Sequence, residues 1–195
     1  MTDLDAANRA LILIGVETVG SLSDHSKAAR TMAGQIEPAK KTVLNEFPWT
    51  FANRIVPLTG ASGSVAGYSN VFSKPSDALN ISRVYGSDNF KSPSEFRVVG
   101  SLIAANVSSG SVEYTAYVSD LDSWPQQIQE CLVTRLASDV AITLTGNAQL
   151  SIALMQKYTA LANHAAQTSV NEENIPTIRA GEYVNIRNAA QSSGN

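Results

Sequence analysis

Residues 35–58, QIEPAKKTVLNEFPWTFANRIVPL, change periodicity partway through, and that change limits what the chain can fold into. Upstream, Ala29, Met32, Ala33, Ile36, Val43, Leu44 and Phe47 recur at helical spacing, and the pattern passes through Pro38 without losing phase. A proline there lacks an N–H and its ring crowds the carbonyl of Gly34. The expectation is one helix, starting near Asp24 or Ser26 and bent at Pro38, rather than two helices. Past Phe47-Pro48-Trp49-Thr50-Phe51 the apolar residues alternate, as in a strand. Pro48 stops the helix and sets its exit. In an extended segment Trp49 and Phe51 would share one face and plug the helix–sheet junction, each burying about 150–250 Å². The corner is expected to be a core hinge, with an exposed aromatic contact patch as the alternative.

The elements on either side follow the same logic. Residues 2–15 form a first helix capped by Thr2 or Asp3, with Leu4, Ala7, Leu11 and Ile14 on one face and Gly15 as its stop. Short strands follow the corner in FANRIVPLTG, SDALNISRVYG, EFRVVG, SLIAANV and SVEYTAYV, forming a small antiparallel meander. In the last of them Val112, Tyr114, Ala116 and Val118 alternate with Glu113, Thr115 and Tyr117. A third helix opens at DSWPQQIQE, where Ser123 and Gln126 suit a capping box and Pro125 sits in the first turn. Its stripe is Ile128, Cys131, Leu132, Leu136 and Val140, ending at Gly146. A fourth runs over residues 148–167 with Leu150, Leu154, Tyr158, Leu161 and Ala165 aligned, and the short gap makes the last two helices antiparallel neighbours. The predicted class is α+β: an antiparallel bundle of about four helices (residues 1–51 and 120–169), an inserted small antiparallel sheet (52–119) and an extended C-terminal arm (170–195).

Composition narrows the functional classes. The net charge of −3, with no basic cluster denser than Lys40-Lys41, argues against phosphate-backbone binding as the main activity. The low charged fraction, 16%, is made up by Ser, Thr, Asn and Gln, a surface suited to contact with other proteins. One cysteine excludes an intrachain disulfide framework, and Cys131 reads as a buried helix position. The opening MTDLDAANRALILIGV has acids where a signal peptide needs positive charge, and no stretch is long enough to span a bilayer, so an intracellular product is expected. His25 and His164 have no partner at metal-ligand spacing, the Ser-Gly pairs mark turns, and Lys41-Thr42 lies inside a helix rather than a phosphate loop. Asp120 and Asp122 suit a helix start. The residues thus give no catalytic, cofactor or metal set, and the chain is expected to be no enzyme.

Taken together, several segments resemble the tail tubular protein A-like head-to-tail adaptors (connectors) of short-tailed bacteriophages. They are ANRALILIGVETVGSL, IEPAKKTVLNEFPWTFANR, KPSDALNISRVYG and VEYTAYVSDLDSWPQQIQECLVTRLASDVAITLTG, in that order. The resemblance spans roughly residues 5–167. It implies a virion structural protein, assembled in the host cytoplasm as a ring, usually a dodecamer, between the portal protein and the tail nozzle protein. Genomic DNA would pass through its channel without specific binding. The polar terminus carries Ile175, Ile178, Tyr183, Val184 and Ile186, expected to meet the portal or a neighbouring copy. Two other readings compete. One is a small-ligand or carbohydrate-binding module using Tyr85, Tyr114 and Tyr117; the other is a hydrolase with His25 or His164 beside an acid.

Overall fold

A computed structural model describes residues 1–87 and 89–172. Among them are four helices and two antiparallel sheets, an α+β fold. The helices are α1 (Asp3–Leu13), α2 (Lys27–Glu46), α3 (Gln126–Thr145) and α4 (Ala148–Glu172). Between α2 and α3 lie β1 (Asn53–Pro57), β2 (Asn70–Ser73), β3 (Ala78–Gly86), β4 (Asn89–Ser94), β5 (Phe96–Val99), β6 (Leu102–Ala105) and β7 (Gly110–Ala116). The expected arm residues Ile175, Ile178, Tyr183, Val184 and Ile186 lie outside the described residues, and α4 continues past Gln167 to Glu172.

Local chemistry accounts for the helix ends. Thr2 and Asp5 form a reciprocal capping box on α1, and after Ile14 the Gly15 and Val16 amides return to the carbonyls of Ile12 and Leu11. Ser26 caps α2 through the Ala29 N–H at 3.1 Å. α2 runs unbroken through Pro38, which is exposed, as is Gly34. Its buried face takes Ala39 and Lys40 in addition to Ala29, Met32, Ile36, Val43 and Leu44, whereas Ala33 points outward. The capping box expected on α3 is absent. Ser123 belongs to a 3₁₀ turn (Leu121–Ser123) and bonds the Asp120 carbonyl, Pro125 takes the cap position, and the Gln129 side-chain amide holds the Leu121 and Trp124 carbonyls.

Side-chain bonds fix how the helices run. Arg9 pairs with Glu130 and the N-terminal amine with Asp122, so α1 and α3 are parallel. Lys27 Nζ reaches the Thr143 carbonyl at 2.6 Å and Lys40 reaches Asp3, so α2 runs against both. Ser138 and Ser151 exchange hydroxyl-to-carbonyl bonds of 3.1 and 2.9 Å, and Tyr158 meets Glu46, which sets α4 antiparallel to α3. α3 is the central helix, buried at Val133, Thr134, Ala137, Ser138 and Ala141 as well as along its expected stripe.

The expected single meander is instead two sheets, ordered β1-β7-β3-β4 and β2-β6-β5. Phe72, Ile103 and Ala105 of the smaller sheet share one apolar cluster with Ile81, Val84, Val112 and Tyr114 of the larger. A lone sheet would leave one of those faces wet; two stacked sheets bury both. β7 is buried on both faces, because its Glu113 and Thr115 side lies toward the C-terminal end of α2. The strand module therefore meets the bundle at the ends of α2 and α4 and the start of α3. The opposite end of the bundle holds the C-termini of α1 and α3 and the N-termini of α2 and α4.

Candidate functional site

The aromatic corner is a core junction, though not an extended one. Phe47 ends α2 in the β region, Pro48 is exposed, and Trp49 leads into a 3₁₀ turn at Thr50–Ala52 before β1 starts at Asn53. The turn separates the faces of Trp49 and Phe51, so they do not line one side as an extended chain would require. Trp49 is 1% exposed, and its Nε1 donates to the Val43 carbonyl at 2.7 Å, satisfying an acceptor that the helix end leaves open. Phe47 packs edge-on against it with ring centres 5.3 Å apart, while Phe51 turns to Trp124 at 5.7 Å. A cavity of about 30 Å³ beside Trp49, Phe51 and Ser169 has room for about one water. The Trp49 ring is unavailable as a surface contact.

Above this corner a groove of about 410 Å³ separates the end of α2 from the outer face of the larger sheet. Asn45 and Phe47 form one wall, and Asn53, Asn80, Arg83 and Glu113 the other. The β ladder explains the second wall: Asn53 and Asn80 lie opposite Thr115, and Arg83 lies opposite Glu113. Glu113 is 7% exposed and accepts from Tyr85 at 2.7 Å, Asn53 at 2.9 Å and Arg83 at 3.4 Å. Burial pushes its carboxyl upward, but the bonds from Tyr85 and Asn53 and the Arg83 charge prevail and hold it below the ordinary glutamate value. Glu113 is therefore a held anion, suited to accepting hydrogen bonds rather than giving up a proton. Glu46, also at the groove, accepts from Tyr158.

The three tyrosines singled out in the sequence are not brought together. Their hydroxyls donate to three separate acids: Tyr85 to Glu113, Tyr114 to Asp77 and Tyr117 to Glu37. Tyr114 points into the inter-sheet core while Tyr85 lies on the outer face with Glu113. His25 and His164 are both exposed, on the loop before α2 and on α4. Burial raises the Cys131 thiol to about 11, with Glu46 and Glu130 adding to the shift. Among the described residues no three His, Cys, Asp or Glu side chains could share a metal ion, and no helix is long and apolar enough to cross a membrane.

Large apolar side chains are exposed in two places. Ile12, Leu13, Ile142 and Ile152 sit at the end of the bundle remote from the strands, 64%, 37%, 54% and 52% exposed. Ile55, Val98 and Val99 are exposed on the strand module. The helical spacing of the sequence missed one buried group. Lys40 is 1% exposed, and its ammonium donates to Asp3 at 2.9 Å, Glu37 at 3.1 Å and the Ser119 carbonyl at 3.2 Å. It joins α1, α2 and the chain returning from β7. The available signal was position: residue 40 follows Ile36 by four and precedes Leu44 by four, on the apolar stripe. The scan against family models matches none of them, and no curated protein matches the chain.

Proposed function

We propose that this chain is a virion structural protein, a head-to-tail adaptor forming a ring between the portal and the tail nozzle of a short-tailed bacteriophage and enclosing the DNA exit channel. One observation carries the reading: exposed apolar side chains fall at two opposite ends, Ile12, Leu13, Ile142 and Ile152 on the bundle and Ile55, Val98 and Val99 on the strands. A subunit set between two different partners needs two unlike surfaces, and repetition around a closed ring adds a heterologous contact between copies. A net charge of −3 suits a channel wall that lets DNA slide rather than holding it. The order of the resembling segments adds support from the sequence. Light scattering on the purified protein, alone and mixed with its cognate portal, tests this. A ring mass alone, or a jump to portal plus ring on mixing, upholds the adaptor; a monomer indifferent to the portal overturns it.

The groove favours a second reading, a small-ligand or carbohydrate-binding module. Its 410 Å³ falls within the usual range for ligand sites, and the Asn45, Asn53 and Asn80 amides could address hydroxyl groups. Calorimetric titration with a panel of oligosaccharides decides it, and Asn80→Leu should abolish any binding found.

A further inference from the structure

The groove beside Glu113 does not end at β3. A second hollow, of about 560 Å³, opens past that strand and shares Ser82 and Arg83 with the first. Its other walls are Pro93, Ser94 and Glu95 where β4 ends, the half-buried Phe96 that opens β5, and the half-buried Tyr68 from the loop between β1 and β2. Arg83 forms the saddle between the two hollows, its guanidinium drawn toward Glu113 at 3.4 Å. In strand order the first hollow lies over β1, β7 and β3, and the second lies over β3 and β4. One cleft therefore crosses the larger sheet from strand to strand.

The floor of this cleft repeats with the sheet. Asn53, Thr115 and Asn80 stand opposed on β1, β7 and β3, and Glu113 with Arg83 forms the next row. Neighbouring strands lie about 4.8 Å apart, close to the length of one sugar ring in a chain. An extended peptide advances only about 3.4 Å per residue and falls out of step with such rows. The Asn45 and Asn80 side-chain amides have no hydrogen-bond partner among the described residues, and each can both give and accept a bond, as a sugar hydroxyl requires. Asn53 gives its amide nitrogen to Glu113 at 2.9 Å, which fixes the side chain and keeps its oxygen as an acceptor. At the other end, Tyr68 and Phe96 supply the flat apolar faces on which sugar rings stack. Charge narrows the choice further. Glu46, Glu113 and Glu95 lie along the cleft, and Arg83 is the one cation lining it, so an acidic chain is opposed.

We propose that this cleft binds a linear, uncharged oligosaccharide laid across the strands, with its first rings held by Asn45, Asn53 and Asn80 and its later rings stacked on Tyr68 and Phe96. The proposal rests on the second reading above, the ligand-binding module, and adds the length, path and charge of the ligand.

Calorimetric titration of the full chain with malto-, cello- and N-acetylchito-oligosaccharides, from dimer to hexamer, tests it, with oligogalacturonates of the same lengths as the acidic comparison. In a neutral series that binds, affinity should rise by about tenfold or more from dimer to hexamer, and the acidic series should bind about tenfold or more weakly. Tyr68→Ala should remove the gain from length while leaving dimer affinity within about twofold, the dimer also showing that the variant is folded. Tyr68→Phe keeps the ring and should keep the gain. Affinity that stays level beyond the dimer, a gain that survives Tyr68→Ala, or tighter binding of the acidic series overturns the extended cleft and leaves the module reading standing. Absence of binding in every series overturns the cleft and the carbohydrate reading together.

Discussion

Lys40 is the residue at which charge and packing are most tightly joined. Its ammonium is enclosed, but Asp3 and Glu37 are 39% and 49% exposed, so solvent screens part of their attraction. Lys40→Ala should cost about 1–3 kcal/mol, less than the loss of a fully buried pair, while Lys40→Met should recover roughly half by keeping the stem packed. Urea midpoints of the two variants check this order. Trp49→Phe loses ring volume and the bond to the Val43 carbonyl, and about 2–3 kcal/mol is expected from the same measurement. Glu113 gives the pH dependence. Because its folded value is lowered from 4.5, its contribution is complete above pH 4.5 and drains away as pH falls below that through the folded value. Unfolding midpoints measured from pH 6 downward should therefore fall less steeply in Glu113→Gln than in the parent.

At the scale of elements, α2 and the β3–β7 ladder make opposite demands on the backbone. Pro38 withholds a donor from α2, yet the helix continues because Ile36, Ala39, Val43 and Leu44 hold one buried face on both sides of it. Pro38 is itself exposed, so Pro38→Ala should stabilise the chain by about 1–3 kcal/mol, seen as a higher melting temperature. Gly110 opens β7 where a Cβ would fall 1.8 Å from the Tyr85 carbonyl oxygen, deep inside contact distance. No side chain can move aside to relieve a clash with backbone. Gly110→Ala should open the β3–β7 ladder at that end, costing about 2–4 kcal/mol and deprotecting the Tyr85–Gly86 amides in hydrogen exchange.

For the whole molecule, the separation of exposed apolar residues into two ends is the property that an adaptor would use. Ile12 and Ile142 contribute little to the fold from their exposed positions. Ile12→Asp with Ile142→Asp should change unfolding free energy by less than about 1 kcal/mol; if the adaptor proposal holds and this end meets the portal, the pair should also weaken association with it at least tenfold, read by light scattering of the mixture. A large loss of stability would show instead that these side chains belong to the core.

Local pattern reached far into this fold for a physical reason: helix stripes, caps and turns depend on residues within a few positions of one another. Thr2 as one of two candidate caps, Ser26 as one of two candidate starts and the Ile128-to-Val140 stripe of α3 were legible because each is a short-range arrangement, whereas the Asp5 half of the α1 capping box was not singled out. The Trp49–Phe51 turn was not legible, since its geometry follows from where Trp124 and Val43 stand. Nor was the division into two sheets, which depends on β2 finding β6 across about thirty residues of chain. The groove beside Glu113 and the Lys40 node are likewise tertiary products. Each gathers side chains from elements far apart in sequence, and a buried charge becomes tolerable only once its partners have been brought to it. The sequence by itself determined the four helical stripes and the balance of charge. The tertiary structure decided which polar groups are enclosed and where apolar surface is left uncovered, because burial is settled by packing between elements and not by their order along the chain.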